Sequence, residues 1–182
     1  MCGITGIFNL NGEPASPVLL RKMTDAIAHR GPDGEGFYTD NFVGLGHRRL
    51  AIIDLSPGGH QPMMTADGHY VISYNGELYN FQELRIELEA LGYHFRSRSD
   101  TEVMLMAYAA WGERCVERFN GMFAFALWDK KRQVLFLARD RFGVKPLYYT
   151  QQGHVFLFGS EIKAMLVHPA YQARLDKEAL LE

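Results

Sequence analysis

Four short stretches of this chain carry residue types that could do chemistry, and each also admits a plain structural role. Cys2 follows the initiator methionine. Removal of Met1 would leave one residue bearing both a thiol and a free α-amine, and an amine titrating at about 8 can take the thiol proton without a separate histidine. The other reading of Cys2 is a small buried residue opening an edge strand. Asn75-Gly76, at the end of an apolar run, could offer one side-chain N–H and one backbone N–H to a developing oxyanion, or could be a hairpin turn, since Asn-Gly is a frequent turn dipeptide. Arg49 could clamp a carboxylate in bidentate fashion, or sit solvated, or pair with Asp54. Asp100, in Ser99-Asp100-Thr101-Glu102, could receive an ammonium group or serve at a helix N-terminus. The four together are more informative than any one.

These stretches must be positioned by regular elements, and the residue pattern supplies them. Cys2 to Leu10 is Gly-spaced and apolar and closes at Asn11-Gly12, which predicts a strand ending in a turn. Leu19, Met23, Ala26 and Ile27 recur at helical spacing behind Ser16-Pro17, predicting an amphipathic helix over 16–29. Arg30 to Gly36 reads as a Gly/Pro loop. Strands are expected at 37–39, 42–47, 50–53 and 70–74. Leu84, Leu88 and Leu91 predict a helix stopped by Gly92, and Val103, Met104, Ala107 and Trp111 predict another, capped by Ser99 or Asp100. Strands at 122–128 and 134–138 are joined by a charged turn at 129–132, and those at 147–150 and 155–158 by Gln151-Gln152-Gly153. Hairpins with helices between them imply an α+β architecture of antiparallel sheets covered by helices.

Composition narrows the function. The chain has 182 residues, and 19 Lys and Arg against 21 Asp and Glu leave a net charge of −2, which argues against a dedicated nucleic-acid binder. Hydrophobic residues at 47% and charged residues at 22% describe one globular domain over 1–182. No apolar run is long enough to span a membrane and no signal peptide is visible, so a cytoplasmic protein is expected. Two cysteines are too few for a disulfide framework, and neither they nor the seven histidines have ligand spacing, so no metal is expected. Cys115 reads as an inert core thiol, and Met104, Met106 and Met122 as packing residues.

With these residues in view, the order Met1-Cys2-Gly3-Ile4, His29-Arg30-Gly31-Pro32-Asp33-Gly34, Asn75-Gly76-Glu77 and Ser99-Asp100-Thr101-Glu102 resembles the class II glutamine amidotransferase domain. The stretches Arg49 to Asp54, Phe119 to Phe125, Ala138 to Tyr149 and Gly159 to Ala164 look more narrowly like the glutaminase half of a glutamine-hydrolysing asparagine synthetase. Arg49-Leu50-Ala51-Ile52 selects that branch, because the hexosamine and purine relatives usually carry an aromatic residue after the arginine. The resemblance implies a four-layer αββα sandwich of the N-terminal nucleophile hydrolase type. It also implies that Cys2 attacks the side-chain amide of L-glutamine, that Asn75 and Gly76 hold the oxyanion, and that Arg49 binds the α-carboxylate. Glu77 and Asp100 would hold the α-ammonium, with Leu50 and Ile52 lining the pocket.

Family members normally continue into a synthetase domain that uses ATP and magnesium, so neither is expected to serve residues 1–182. That C-terminal domain is the expected partner, with residues 145–149 and 160–164 near it, and a homodimer is also possible. Asp176 to Glu182 reads as the opening of a further helix, which suggests a domain from a longer protein. Two rivals stand beside the glutaminase reading: an amidotransferase half serving another acceptor, such as a cell-surface sugar or a natural-product carboxylate, and a non-catalytic module of the same fold.

Overall fold

Strand periodicity decides the architecture, because alternate side chains must find apolar cover on two sides. The structure, a computed structural model, describes residues 1–52 and 56–173. One sheet is built from β1 (Gly3–Asn9), β2 (Gly34–Asp40), β3 (Val43–Arg49), β8 (Tyr148–Gln152) and β9 (Val155–Gly159), in the order β2-β3-β1-β9-β8. The second holds β4 (Met63–Met64), β5 (Tyr70–Leu78), β6 (Gly121–Asp129) and β7 (Val134–Arg139), in sequence order. The pairings between these strands are antiparallel.

The core divides into three apolar layers. Ile4, Val43, Leu45, Val71, Ala124, Ala126, Trp128 and Phe158 meet between the sheets. On the outer face of the first sheet, Ile7 and Leu157 pack against Leu20 and Met23 of α1 (Pro17–Asp25) and Met165 of α4 (Ile162–Leu166). On the outer face of the second, Ile72, Tyr74, Leu78, Phe123 and Phe125 pack against Leu84 and Leu88 of α2 (Phe81–Ala90) and Val103 to Tyr108 of α3 (Asp100–Trp111). The result is helix, sheet, sheet, helix, the four-layer sandwich expected. Among the described residues no helix is long and apolar enough to cross a membrane.

The caps follow local chemistry. The Ser16 side chain accepts from Leu19 N–H with Pro17 at the first position, and the Ser99 side chain accepts from Thr101 N–H, so Ser99 caps α3 and Asp100 is its first residue. Four local expectations are corrected. Asn75-Gly76 is not a turn: both residues lie inside β5, opposite Ala124 and Phe123. Leu50 to Ile52 is not a strand, because Asp33 and the Cys2 thiol take the polar groups that a ladder would have used, while Ile53 lies outside the described residues. Leu91 is 57% exposed and closes α2 instead of extending its buried stripe. The helix over 16–29 ends at Asp25, with a 3-10 turn at Ala28–Arg30. The expectation at Asp176 to Glu182 lies outside the described residues.

Two hydrogen bonds tie the sheets across the central layer: Ser73 Oγ donates to Gly46 O at 3.1 Å, and His47 Nε2 to Tyr74 O at 2.9 Å. Because Tyr74 O can only accept, His47 carries its proton on Nε2. Burial, aided by His60 and Arg49, holds its pKa down at about 4 despite the Tyr74 contact. An unfolded histidine binds a proton near pH 6.5, so the unfolded state takes up protons that the folded state refuses, and stability falls as pH drops from 6.5 to 4. Buried Asp100, with its carboxyl raised chiefly by desolvation, contributes the opposite sign within the carboxylate range.

His47→Gln keeps a donor for Tyr74 O and removes the titration. Urea unfolding at pH 7 and pH 4 should show the wild type losing about 3 kcal/mol more than the variant over that interval; equal losses would mean that His47 titrates normally in the fold. Gly76 supplies the second test, since a Cβ there would collide with the Met122 carbonyl and the Tyr74 ring. Gly76→Ala should cost about 2 kcal/mol and lower Tm by roughly 4–8 °C in a thermal melt.

Candidate active site

The N-terminal end of β1 meets the middle of β5 at a cleft of about 300 Å³, and the cleft collects the residues singled out from the sequence. Cys2, Arg49, Leu50, Ile52, Asn75, Gly76, Glu77 and Asp100 all line it, although they come from four separate parts of the chain.

Three contacts hold Cys2. Leu50 N–H donates to its Sγ at 3.3 Å, the thiol faces Leu50 O at 3.4 Å, and Arg30 Nε donates to the Cys2 carbonyl at 2.9 Å. Burial pushes the thiol pKa up, outweighing the Leu50 N–H, the chain's amino terminus and Arg49, which all act to lower it. A thiol so placed needs a nearby base to ionise at neutral pH. Arg30 is itself fixed by Glu161, whose carboxylate accepts from Arg30 Nη1 at 3.0 Å and pairs with His29 and Lys163 at 2.9 and 3.1 Å. Desolvation opposes ionisation of Glu161, but these three partners bring its pKa to about 2.

The His29-to-Gly34 stretch therefore braces the site. Arg30 grips the Cys2 carbonyl, while Asp33 N–H donates to Arg49 O at 3.0 Å and Asp33 Oδ2 accepts from Ala51 N–H at 2.9 Å. This holds Arg49, Leu50 and Ala51 as an irregular wall instead of a strand. Arg49 extends past that wall and donates to Ser56 O at 3.1 Å.

Strand geometry orients the second group of residues. Side chains at 71 and 73 face the inter-sheet layer and those at 72, 74 and 78 face the helices, so Asn75 points inward on the side where β1 begins. Its Nδ2 is buried without a hydrogen-bond partner, as are Arg30 Nη2 and His47 Nδ1. An orphaned amide donor costs about 1–3 kcal/mol, which is repaid if a ligand oxygen reaches it.

Asp100 closes the far end from the N-terminus of α3. Its Oδ2 accepts from Tyr74 Oη at 2.9 Å and Leu78 N–H at 3.0 Å. Those bonds fix the carboxylate plane, and the Asp100 side chain stays on the cleft lining.

Sequence reasoning missed several lining residues: Gln61, Tyr74, Ser99, Thr101, Met122 and Lys145. Met122 was taken for packing, and Tyr74 for part of an apolar strand. Tyr74 and Thr101 each adjoin a residue already singled out, which was the available signal. Gln61 and Lys145 had none, since they arrive from irregular segments. Cys115, by contrast, is a core thiol, pushed up to about 12 by burial.

Comparison with known proteins identifies the family and the fold. A family model described as a glutamine amidotransferase domain matches residues 1–182. The chain is 51% identical to asparagine synthetase [glutamine-hydrolyzing] 3 of Bacillus subtilis, across the whole chain and 30% of that protein. It is 37% identical to asparagine synthetase B [glutamine-hydrolyzing] of Escherichia coli, over 91% of the chain and 30% of the relative. The chain thus spans about 30% of the length of these relatives. Among solved structures, glutamine phosphoribosylpyrophosphate amidotransferase from B. subtilis superposes with a TM-score of 0.76 over 91% of this chain and 43% of that one, at 22% identity, and so shares the fold. With the family model matching its full length, the chain belongs to the glutamine amidotransferase domain family.

Proposed function

We propose that this domain hydrolyses the side-chain amide of glutamine and donates the ammonia to an ATP-dependent, amide-forming synthetase domain of the asparagine synthetase type. The observation that carries the reading is the buried, unpartnered Nδ2 of Asn75 lining the same cleft as the Cys2 thiol. A nucleophile and a vacant donor in one pocket are the requirements of acyl transfer.

In this reading the chemistry begins with loss of Met1, which turns the Cys2 amide nitrogen into an α-amine. That amine takes the thiol proton, and Sγ attacks the glutamine side-chain carbonyl carbon. The oxyanion of the tetrahedral intermediate is met by Asn75 Nδ2 and Gly76 N–H. The amine's proton passes to the departing nitrogen, the C–N bond breaks, and ammonia leaves a thioester on Cys2. Water then attacks the thioester with the amine as base, releasing glutamate and restoring the thiol. Arg49 holds the substrate α-carboxylate, Glu77 and Asp100 its α-ammonium, and Leu50 and Ile52 line the pocket. Support for this orientation is electrostatic: the guanidinium and the two carboxylates line one cleft with the thiol. No organic cofactor or metal is required of residues 1–182, whereas ATP and magnesium belong to the proposed partner domain. Exposed Phe142, Val144, Tyr148, Tyr149 and Ile162 are the surface proposed to meet that domain.

A second reading, in which the ammonia serves another acceptor, draws on 43% identity over 91% of the chain to a Gibberella zeae protein named Amidase chry2. The 51% identity to the B. subtilis synthetase favours the first.

Glutamine-dependent ammonia release by the Met1-processed protein tests the activity. Cys2→Ala should abolish it, and Asn75→Ala should lower kcat by about 100- to 1000-fold. Release that survives loss of the Cys2 thiol would sink the proposal.

A further inference from the structure

The free edge of β5 poses an accounting problem that the active-site residues do not solve. In an antiparallel ladder the polar groups of alternate residues point to opposite edges, so Ile72, Tyr74, Gly76 and Leu78 all present theirs away from β6. Strand β4 covers Ile72 through Met63 and then stops. Its register, Met63 opposite Ile72, would place Pro62 opposite Ser73 and Gln61 opposite Tyr74. The backbone ladder nonetheless ends at Met63.

The Gln61 side chain takes over where the backbone fails. Its Oε1 accepts from Tyr74 N–H at 2.6 Å, and its Nε2 donates to Thr101 Oγ1 at 3.2 Å, next to Asp100. The Tyr74 carbonyl is held by His47, and Leu78 N–H by Asp100. Of the four edge positions, Gly76 presents its N–H on the open edge where it lines the cleft, and no described residue is shown bonding it. Gln61 is 6% exposed, and its own backbone passes so close to β2 that a Cβ on Gly36 would overlap its carbonyl. The side chain has little freedom to leave.

We infer that Gln61 is a positioning residue for the reaction: a side-chain substitute for a strand, fixing the Tyr74 peptide so that Asn75 Nδ2 and Gly76 N–H converge on the oxyanion, and coupling that strand to α3 beside Asp100. The inference rests on the proposed glutaminase reading and deepens it. Removing the acceptor frees the Tyr74 N–H and lets the donor pair drift, and a displacement of about 1 Å is enough to cost on the order of 100-fold in rate. Substrate charges remain bound by Arg49, Glu77 and Asp100, so the loss falls on kcat.

The test compares Gln61→Met, which keeps length without an acceptor, with Gln61→Glu, which keeps an oxygen for Tyr74 N–H, in the Met1-processed chain. Gln61→Met should lower kcat for glutamine hydrolysis about 10- to 100-fold while KM moves less than about threefold, and Gln61→Glu should recover much of it. Alkylation of Cys2 by iodoacetamide, which builds no oxyanion, should stay within about twofold of wild type, whereas a general loss of structure would change both. Hydrogen exchange at the Tyr74 amide should accelerate in Gln61→Met, an observation independent of activity. An active wild type with an equally active Gln61→Met overturns the positioning role and leaves the proposed function standing. A wild type that releases no ammonia overturns the proposed function, and then faster Tyr74 exchange in Gln61→Met would reduce Gln61 to a structural brace. Unchanged exchange at Tyr74 overturns the inference in every case.

Discussion

The site depends on a strand that runs to its end without a neighbour on one edge. A buried strand edge is costly, since each unpaired backbone group forfeits its hydrogen bond to water and gains nothing in return. β5 meets this constraint with side chains: Gln61 and His47 satisfy Tyr74, and Asp100 satisfies Leu78. Between these fixed points Gly76 offers a backbone donor, and Asn75 on the opposite face of the strand offers a side-chain donor. A fully paired strand would be more stable and would leave no donor for a ligand. Gly76 is also the residue that lets β5 and β6 approach so closely, because any side chain there would strike the Met122 carbonyl.

Cys2 is held by a different device, in which charge does what side-chain hydrogen bonds do for the edge of β5. Arg30 reaches Cys2 O from the 3-10 turn after α1, and Glu161 at the start of α4 locks Arg30 together with His29 and Lys163. One carboxylate thereby joins two helical ends to Cys2, just before β1. A parallel solution recurs at Asp140, where burial would raise the carboxyl but backbone N–H groups of Lys145, Val144, Phe123 and Phe142 pull it below the usual range. That carboxylate shapes the loop that brings Lys145 to the cleft. Irregular segments are thus made rigid by carboxylates that collect N–H donors, which is how loops carry precise groups without regular structure.

Shared fold and shared site divide the comparisons usefully. The solved amidotransferase structure, at 22% identity, has the same sandwich, as a four-layer packing of alternating faces tolerates wide exchange of apolar residues. The asparagine synthetases are alike at a finer grain, with 51% identity in the B. subtilis relative. The chain spans about 30% of the length of those proteins, so the likeness at this finer grain concerns the amidotransferase domain alone.

The alternation of apolar residues in β1, β5 and β6, the caps at Ser16 and Ser99 and the stripe at Leu84 and Leu88 were legible locally, because each depends on neighbours within a few positions. So were the chemical types of Cys2, Arg49, Asn75, Gly76 and Asp100. Asn75-Gly76 shows where local reading stops: the dipeptide's turn preference is real, yet pairing with β6 over nine residues of β5 outweighs it. Leu50 to Ile52 shows the reverse, apolar enough for a strand but drawn off the sheet by Asp33 and Cys2. Gln61 could not be found from the sequence, since its role exists only once β4 ends, β5 continues and α3 lies alongside. The sequence by itself determined antiparallel sheets covered by helices and the inventory of reactive groups, as both are set by residue type and period. Which edge of β5 stays open, and that the Asn75 amide is left unpaired on the cleft Cys2 also lines, was decided by the tertiary structure, because hydrogen-bond satisfaction is settled between segments far apart in the chain.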